Sequence, residues 1–107
     1  MAKGSRVPET PQATYARIKA KCNALKAVSA GGNVGVVRII DDLHEVFYAK
    51  ALLGDPVLDA AAIALRDSVI AAIPVEERGH NIDRQFASNS SEAIDIRAKL
   101  DVVVAVT

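Results

Sequence analysis

The stretch Asp55 to Pro74, DPVLDAAAIALRDSVIAAIP, constrains the chain most, because a start signal, an apolar body and a stop signal follow one another without a break. Asp55 can cap the first free N–H groups, Pro56 suits the first helical position, and Pro74 cannot continue a helical ladder. Asp59 suits the positive N-terminal end. Only Asp59, Arg66, Asp67 and Ser68 are clearly polar in the body, while Val57, Leu58, Ile63, Leu65, Val69, Ile70 and Ile73 cover most of the circumference. A helix of this kind must be enclosed, by its own chain or by another copy.

Two further helices precede it. Thr10 and Pro11 form a start signal, and Tyr15, Ile18, Cys22, Leu25 and Val28 make a stripe that ends at Gly31 and Gly32. Asn33 is the expected cap of a second helix running to Leu53. Its apolar face is expected to be Val36, Ile40, Leu43, Phe47 and Ala51, opposite Arg38, Asp41, Asp42 and Glu45. The β-branched residues of Gly32 to Ile39 leave a short strand there as the alternative. Residues 1–10 read as a mobile basic arm, and residues 11–107 as one domain.

Residues 75–89 have no clear period and are long for a connection. They form a functional loop or hide a short element such as Ile82 to Phe86. Beyond them, Ile94, Ile96, Ala98, Leu100, Val102, Val104 and Val106 alternate with Asp95, Arg97, Lys99 and Asp101. Period two predicts a long C-terminal strand, although Asn89 with Glu92 also resembles a capping box. The expected fold is therefore mainly α, a three-helix core with a C-terminal β-strand, becoming α+β if the strand pairs. Only Gly32 to Ile39 and Ile82 to Phe86 offer a partner within the chain. A strand left unpaired would be completed by oligomerisation, through Ile94, Ile96, Leu100, Val102 and Val104.

Thirteen basic residues balance thirteen acidic ones, yet residues 1–38 hold seven Lys or Arg against one acid, so this part carries +6 and the rest −6. Lys3, Arg6, Arg17, Lys19, Lys21 and Lys26 could meet phosphates without sequence readout, in a salt-dependent way. A helix-turn-helix is disfavoured, since Asp55 to Ile73 holds three acids and one Arg. Cys22 stands alone, so a reducing compartment is expected. With no signal-like or membrane-spanning apolar run, the expected location is cytoplasmic, or a virion for a viral chain.

The densest polar cluster is Asp41, Asp42, His44 and Glu45, which reads as a solvated acidic face. No second His or Cys pair completes a metal site. Arg38 and His44 together resemble the Arg-x4–6-His pattern of the helical ribonuclease family called HEPN, with Ile39 where a polar residue usually follows the Arg. The resemblance implies that Arg38 and His44 would act on a phosphodiester. His80, between Arg78 and Asp83, reads as an exposed loop residue, and Cys22 as a small core residue.

No cofactor motif is present. The expected role is a small non-enzymatic structural protein that self-associates, of the kind found among phage-type morphogenesis or connector components. The alternative is a nucleic-acid-associated accessory protein using the basic arm and first helix.

Overall fold

The computed structural model describes residues 9–79 and 84–107. It holds four α-helices: α1 (Pro11–Gly31), α2 (Val36–Ala51), α3 (Pro56–Ala72) and α4 (Ser91–Ala105). Side chains cap the starts of α1, α3 and α4, whereas α2 begins after Gly35 without a side-chain cap and not at Asn33. The Thr10 side chain accepts from the N–H of Ala13, and Asp55 from those of Val57 and Leu58. Gly54, at a φ of +62°, makes the turn from α2 to α3 in a conformation that other residues resist.

The helices form an up-down-up-down bundle. Lys21 of α1 meets Asp42 and Glu45 of α2, whereas the earlier Arg17 lies towards Glu45 and Tyr48, so these two run antiparallel. Lys50 pairs with Asp59, and the other end of α2 at Ile40 faces Ile70 and Ile73, which sets α3 antiparallel to α2. Arg97 of α4 donates to the Ser29 carbonyl and Lys26 pairs with Asp101, so α4 closes the ring by running antiparallel to α1. The Tyr15 hydroxyl donates to Asp55 Oδ2 at 2.6 Å, joining the first turn of α1 to the cap of α3 at the same end of the bundle.

The C-terminal segment is thus a helix and not the strand that its alternation suggests. Ser90 provides the cap, accepting from the N–H of Ala93 at 3.2 Å. Ala93, Ile96, Leu100 and Val103, spaced 3, 4 and 3 apart, enter the core. The apparent period of two comes from superposing this stripe on a second apolar set facing outwards, Ile94, Ala98 and Val102. A capped helix satisfies its backbone groups internally, so the segment needs no strand partner. The two short stretches considered as possible partners pair with each other instead. Val34–Gly35 (β1) and Gln85–Phe86 (β2) form an antiparallel ribbon, with Val34 opposite Phe86.

The core consists of aliphatic residues from all four helices together with Phe86, among them Ile18, Leu25, Ile39, Leu58, Leu65, Ile96 and Leu100. In α2 the inner stripe is Val36, Ile39, Leu43 and Val46, one residue away from the stripe expected through Ile40 and Phe47. That rotation buries Asp42 and turns Ile40 and Phe47 towards α3. The helix begins after Gly35, because Val34 and Gly35 are used in the ribbon. α3 is enclosed on one side only, through Leu58, Ala61, Ala62, Leu65 and Val69, while Val57 and Ile70 stay exposed. Within residues 75–89, a 3-10 turn at Val75–Glu77 and β2 supply local order, and Arg84 pairs with Glu77 at 2.8 Å.

Candidate functional site

Three surfaces bear on function: the basic side of α1, the groove between α2 and α3, and the outer side of α4. On α1 the positive charges are largely answered within the chain. Arg17 donates to Glu9 at 2.9 Å, Lys21 lies against Glu45 and Asp42, and Lys26 pairs with Asp101. Their hydrogen bonds raise the Arg17 and Lys21 pKa values, through Glu9 and Glu45 respectively. Lys19 is exposed and makes no ion pair among the described residues. Lys3, Arg6 and residues 1–8 in general lie outside the described residues, as does His80. Glu9 and Thr10, counted with the arm in the sequence, are held on the first turn of α1.

Asp42, 8% exposed, is the buried acid of the molecule's described part. Its carboxylate accepts from Arg38 Nε at 3.2 Å and lies 3.6 Å from Lys21 Nζ, so it is paired on two sides rather than solvated. Arg38 thereby lines a shallow cleft of about 260 Å³ between α1 and α2 with Arg17, Lys21 and Ala24. His44 instead lines the groove between α2 and α3. Six residues on a helix amount to about 240° of rotation beyond one full turn, and the two side chains face different clefts. The structure does not bring Arg38 and His44 together at a common phosphodiester position. No group of three or more His, Cys, Asp or Glu among the described residues is arranged to hold a metal ion.

The α2–α3 groove, about 390 Å³, is apolar, walled by Ile40, Phe47, Ile70 and Ile73, with His44 and Arg66 at its edge. Lys50 Nζ lies 4.6 Å and the Arg66 guanidinium 5.7 Å from the centre of the Phe47 ring, so the aromatic face is already covered by cations.

α4 divides the five residues expected at an interface. Ile96 and Leu100 are each 1% exposed and belong to the chain's own core, and Val104 is half-buried against it. Ile94 and Val102 remain 53% and 49% exposed. Together with the exposed Ala98 and Ala105 they form a stripe at spacings of 4, 4 and 3 on the side of α4 opposite its core residues. On one flank stand Arg97 and Asp101, which reach towards α1. On the other are Asp95 and Lys99, which reach towards Ser68 of α3; Ser68 and then Lys99 hold the Asp95 carboxyl below its ordinary pKa. The alternating pattern puts Ala98 on one face with Ile96 and Leu100, which are buried, and leaves out Ala105. Helical spacing from Ile94 was the signal that finds them.

Cys22 is buried in the core, and its thiol pKa is pushed up to about 11, first by burial and then by the charge of Asp42. It is a packing residue and not a nucleophile. No helix among the described residues is long and apolar enough to cross a membrane. Comparison with known protein families, curated proteins and solved structures finds no match to this chain.

Proposed function

We propose that the chain is a small structural protein that works by self-association, a role in keeping with a subunit of a phage-type morphogenesis or connector assembly. The observation that carries this reading is the outer side of α4, where Ile94 and Val102 are half-exposed on a helix whose polar flanks are otherwise satisfied. A helix exposing an aliphatic stripe of this kind in water gains by covering it. The alternative, phosphate binding through α1, loses support because Arg17, Lys21 and Lys26 already hold carboxylates.

The expected contact is weak when it acts alone. Four half-exposed aliphatic side chains in a symmetric pair offer about 4 kcal/mol of transfer energy, before the cost of immobilising two bodies. That transfer energy alone corresponds to about 1 mM, so with the cost included a lone pair of subunits associates more weakly than this, and an ordered array strengthens each contact through its neighbours. The test is sedimentation equilibrium across a concentration series reaching several times that level, with the full chain and with an Ile94→Asp, Val102→Asp double variant. A mass that rises with concentration for the native chain, and stays monomeric for the variant, supports the reading. A native chain that remains monomeric at the highest concentration overturns it.

A further inference from the structure

The geometry points to the groove between α2 and α3 as a binding site for a small aliphatic carboxylate, its head at Arg66 and His44 and its tail along Ile40, Ile70 and Ile73. This inference is independent of self-association through α4. At about 390 Å³ the groove has the size of sites that hold small organic ligands. Its walls are aliphatic and aromatic, so the body of the occupant must be apolar. The groove follows α2 from Ile40 to Phe47, about 10 Å along the helix axis, which suits an extended alkyl chain of medium length.

The polar groups select the head. Among the described residues His44 and Arg66 are the polar side chains that line the groove, and no Asp or Glu lines it. Both can donate to an oxygen anion. The Arg66 guanidinium lies 5.7 Å from the centre of the Phe47 ring, which holds it at that end by cation–π attraction. His44 is one helical turn from Phe47 on the same side of α2. The donors therefore gather towards one end, and Ile40 and Ile73 form the other.

Neither donor is spent within the described part of the chain. His44 makes no hydrogen bond or ion pair among the described residues. Arg66 meets Asp67, its neighbour in sequence, through one N–H at 3.3 Å, and both side chains are exposed. A surface pair of this kind contributes little, and it leaves the rest of the guanidinium fork open to a carboxylate. Lys50, also over the Phe47 ring, is held by Asp59 and lies outside the head site. An ammonium head in the groove would be repelled by Arg66, whereas a carboxylate is attracted.

Titration of the native protein with sodium octanoate, followed by amide proton–nitrogen NMR, tests the site. Octylammonium controls for the charge of the head and acetate for the tail. Octanoate is expected to shift the signals of His44, Phe47 and Ile70 in a saturable way below about 10 mM, with Ile94 and Val102 unmoved. Octylammonium and acetate are expected to give no saturable shift there. Arg66→Gln, at an exposed position, is expected to weaken octanoate about tenfold, as for loss of a partly exposed charged hydrogen bond, and Arg66→Lys to weaken it less. Ile70→Asp, also at an exposed position, places a like charge beside the ligand and should abolish binding. The absence of saturable groove shifts with octanoate, an equal response to octylammonium, or unchanged affinity in Arg66→Gln overturns the inference.

Discussion

Truncating Ile94 and Ile96 to Ala, one at a time, separates a helical α4 from an alternating strand. On a strand both residues share a face and should cost the same. On α4 they are about 200° apart, with Ile96 buried at 1% exposed and Ile94 at 53%. Ile96→Ala opens a cavity among the core residues of α4 and its neighbours and is expected to cost about 2 to 5 kcal/mol. Ile94→Ala removes half-solvated methyl groups and gains helix propensity, so its effect stays within about 0.5 kcal/mol. The neighbouring pair repeats the contrast. Val103→Ala, at a fully buried position, loses two buried methyl groups and about 2 kcal/mol, whereas Val102→Ala is close to neutral. Urea unfolding followed by circular dichroism, at a protein concentration low enough to exclude association, reads these differences as midpoint shifts at constant slope. Equal costs for Ile94→Ala and Ile96→Ala would refute the packing of α4.

Three smaller predictions follow from the same contacts. Ser90→Ala removes the cap of α4 and a bond from its hydroxyl to the Ala87 carbonyl at 2.7 Å, and should cost about 0.5 to 2 kcal/mol by urea unfolding. Cys22 should react with a thiol reagent at pH 8 only as fast as the protein opens, so prompt reaction of native protein would contradict its burial. Tyr15, and then the Leu58 N–H, hold the Asp55 carboxyl below its ordinary value; Glu9 is lowered by Arg17 and Thr14. A depressed folded pKa contributes stability that is present above the unfolded value, about 3.9 for Asp, and is lost as pH falls through the folded one. Asp55→Asn keeps a capping side chain but cannot titrate, so its stability should fall less between about pH 5 and 2 than that of the native chain; identical acid profiles would contradict the assignment.

Much of the fold was legible because its signals were local. Thr10 with Pro11, and Asp55 with Pro56, are helix starts whose side-chain chemistry works at the positions where they stand. Where reading failed, two patterns shared one segment. In α4, an inner stripe of Ala93, Ile96, Leu100 and Val103 is interleaved with an outer one of Ile94, Ala98 and Val102, and their sum alternates like a strand. In α2, Ile39 and Ile40 are interchangeable by composition, and only the approach of α1 and α3 decides which of them is inside. Asp42 shows the same dependence on neighbours. It reads as a solvated acid until Lys21 arrives from another helix to pair with it. The exposed stripe was half visible, through Ile94 and Val102, but its centre at Ala98 becomes apparent only once the segment is wound as a helix.

The most direct test of self-association through α4 is a concentration series of amide proton–nitrogen NMR spectra of the native chain. Shifts that move with concentration are expected to cluster on Ile94, Ala98, Asp101, Val102 and Ala105, with Ile70 and His44 of the α2–α3 groove unchanged. Spectra that do not change up to about 5 mM, or changes confined to the groove, would contradict the account.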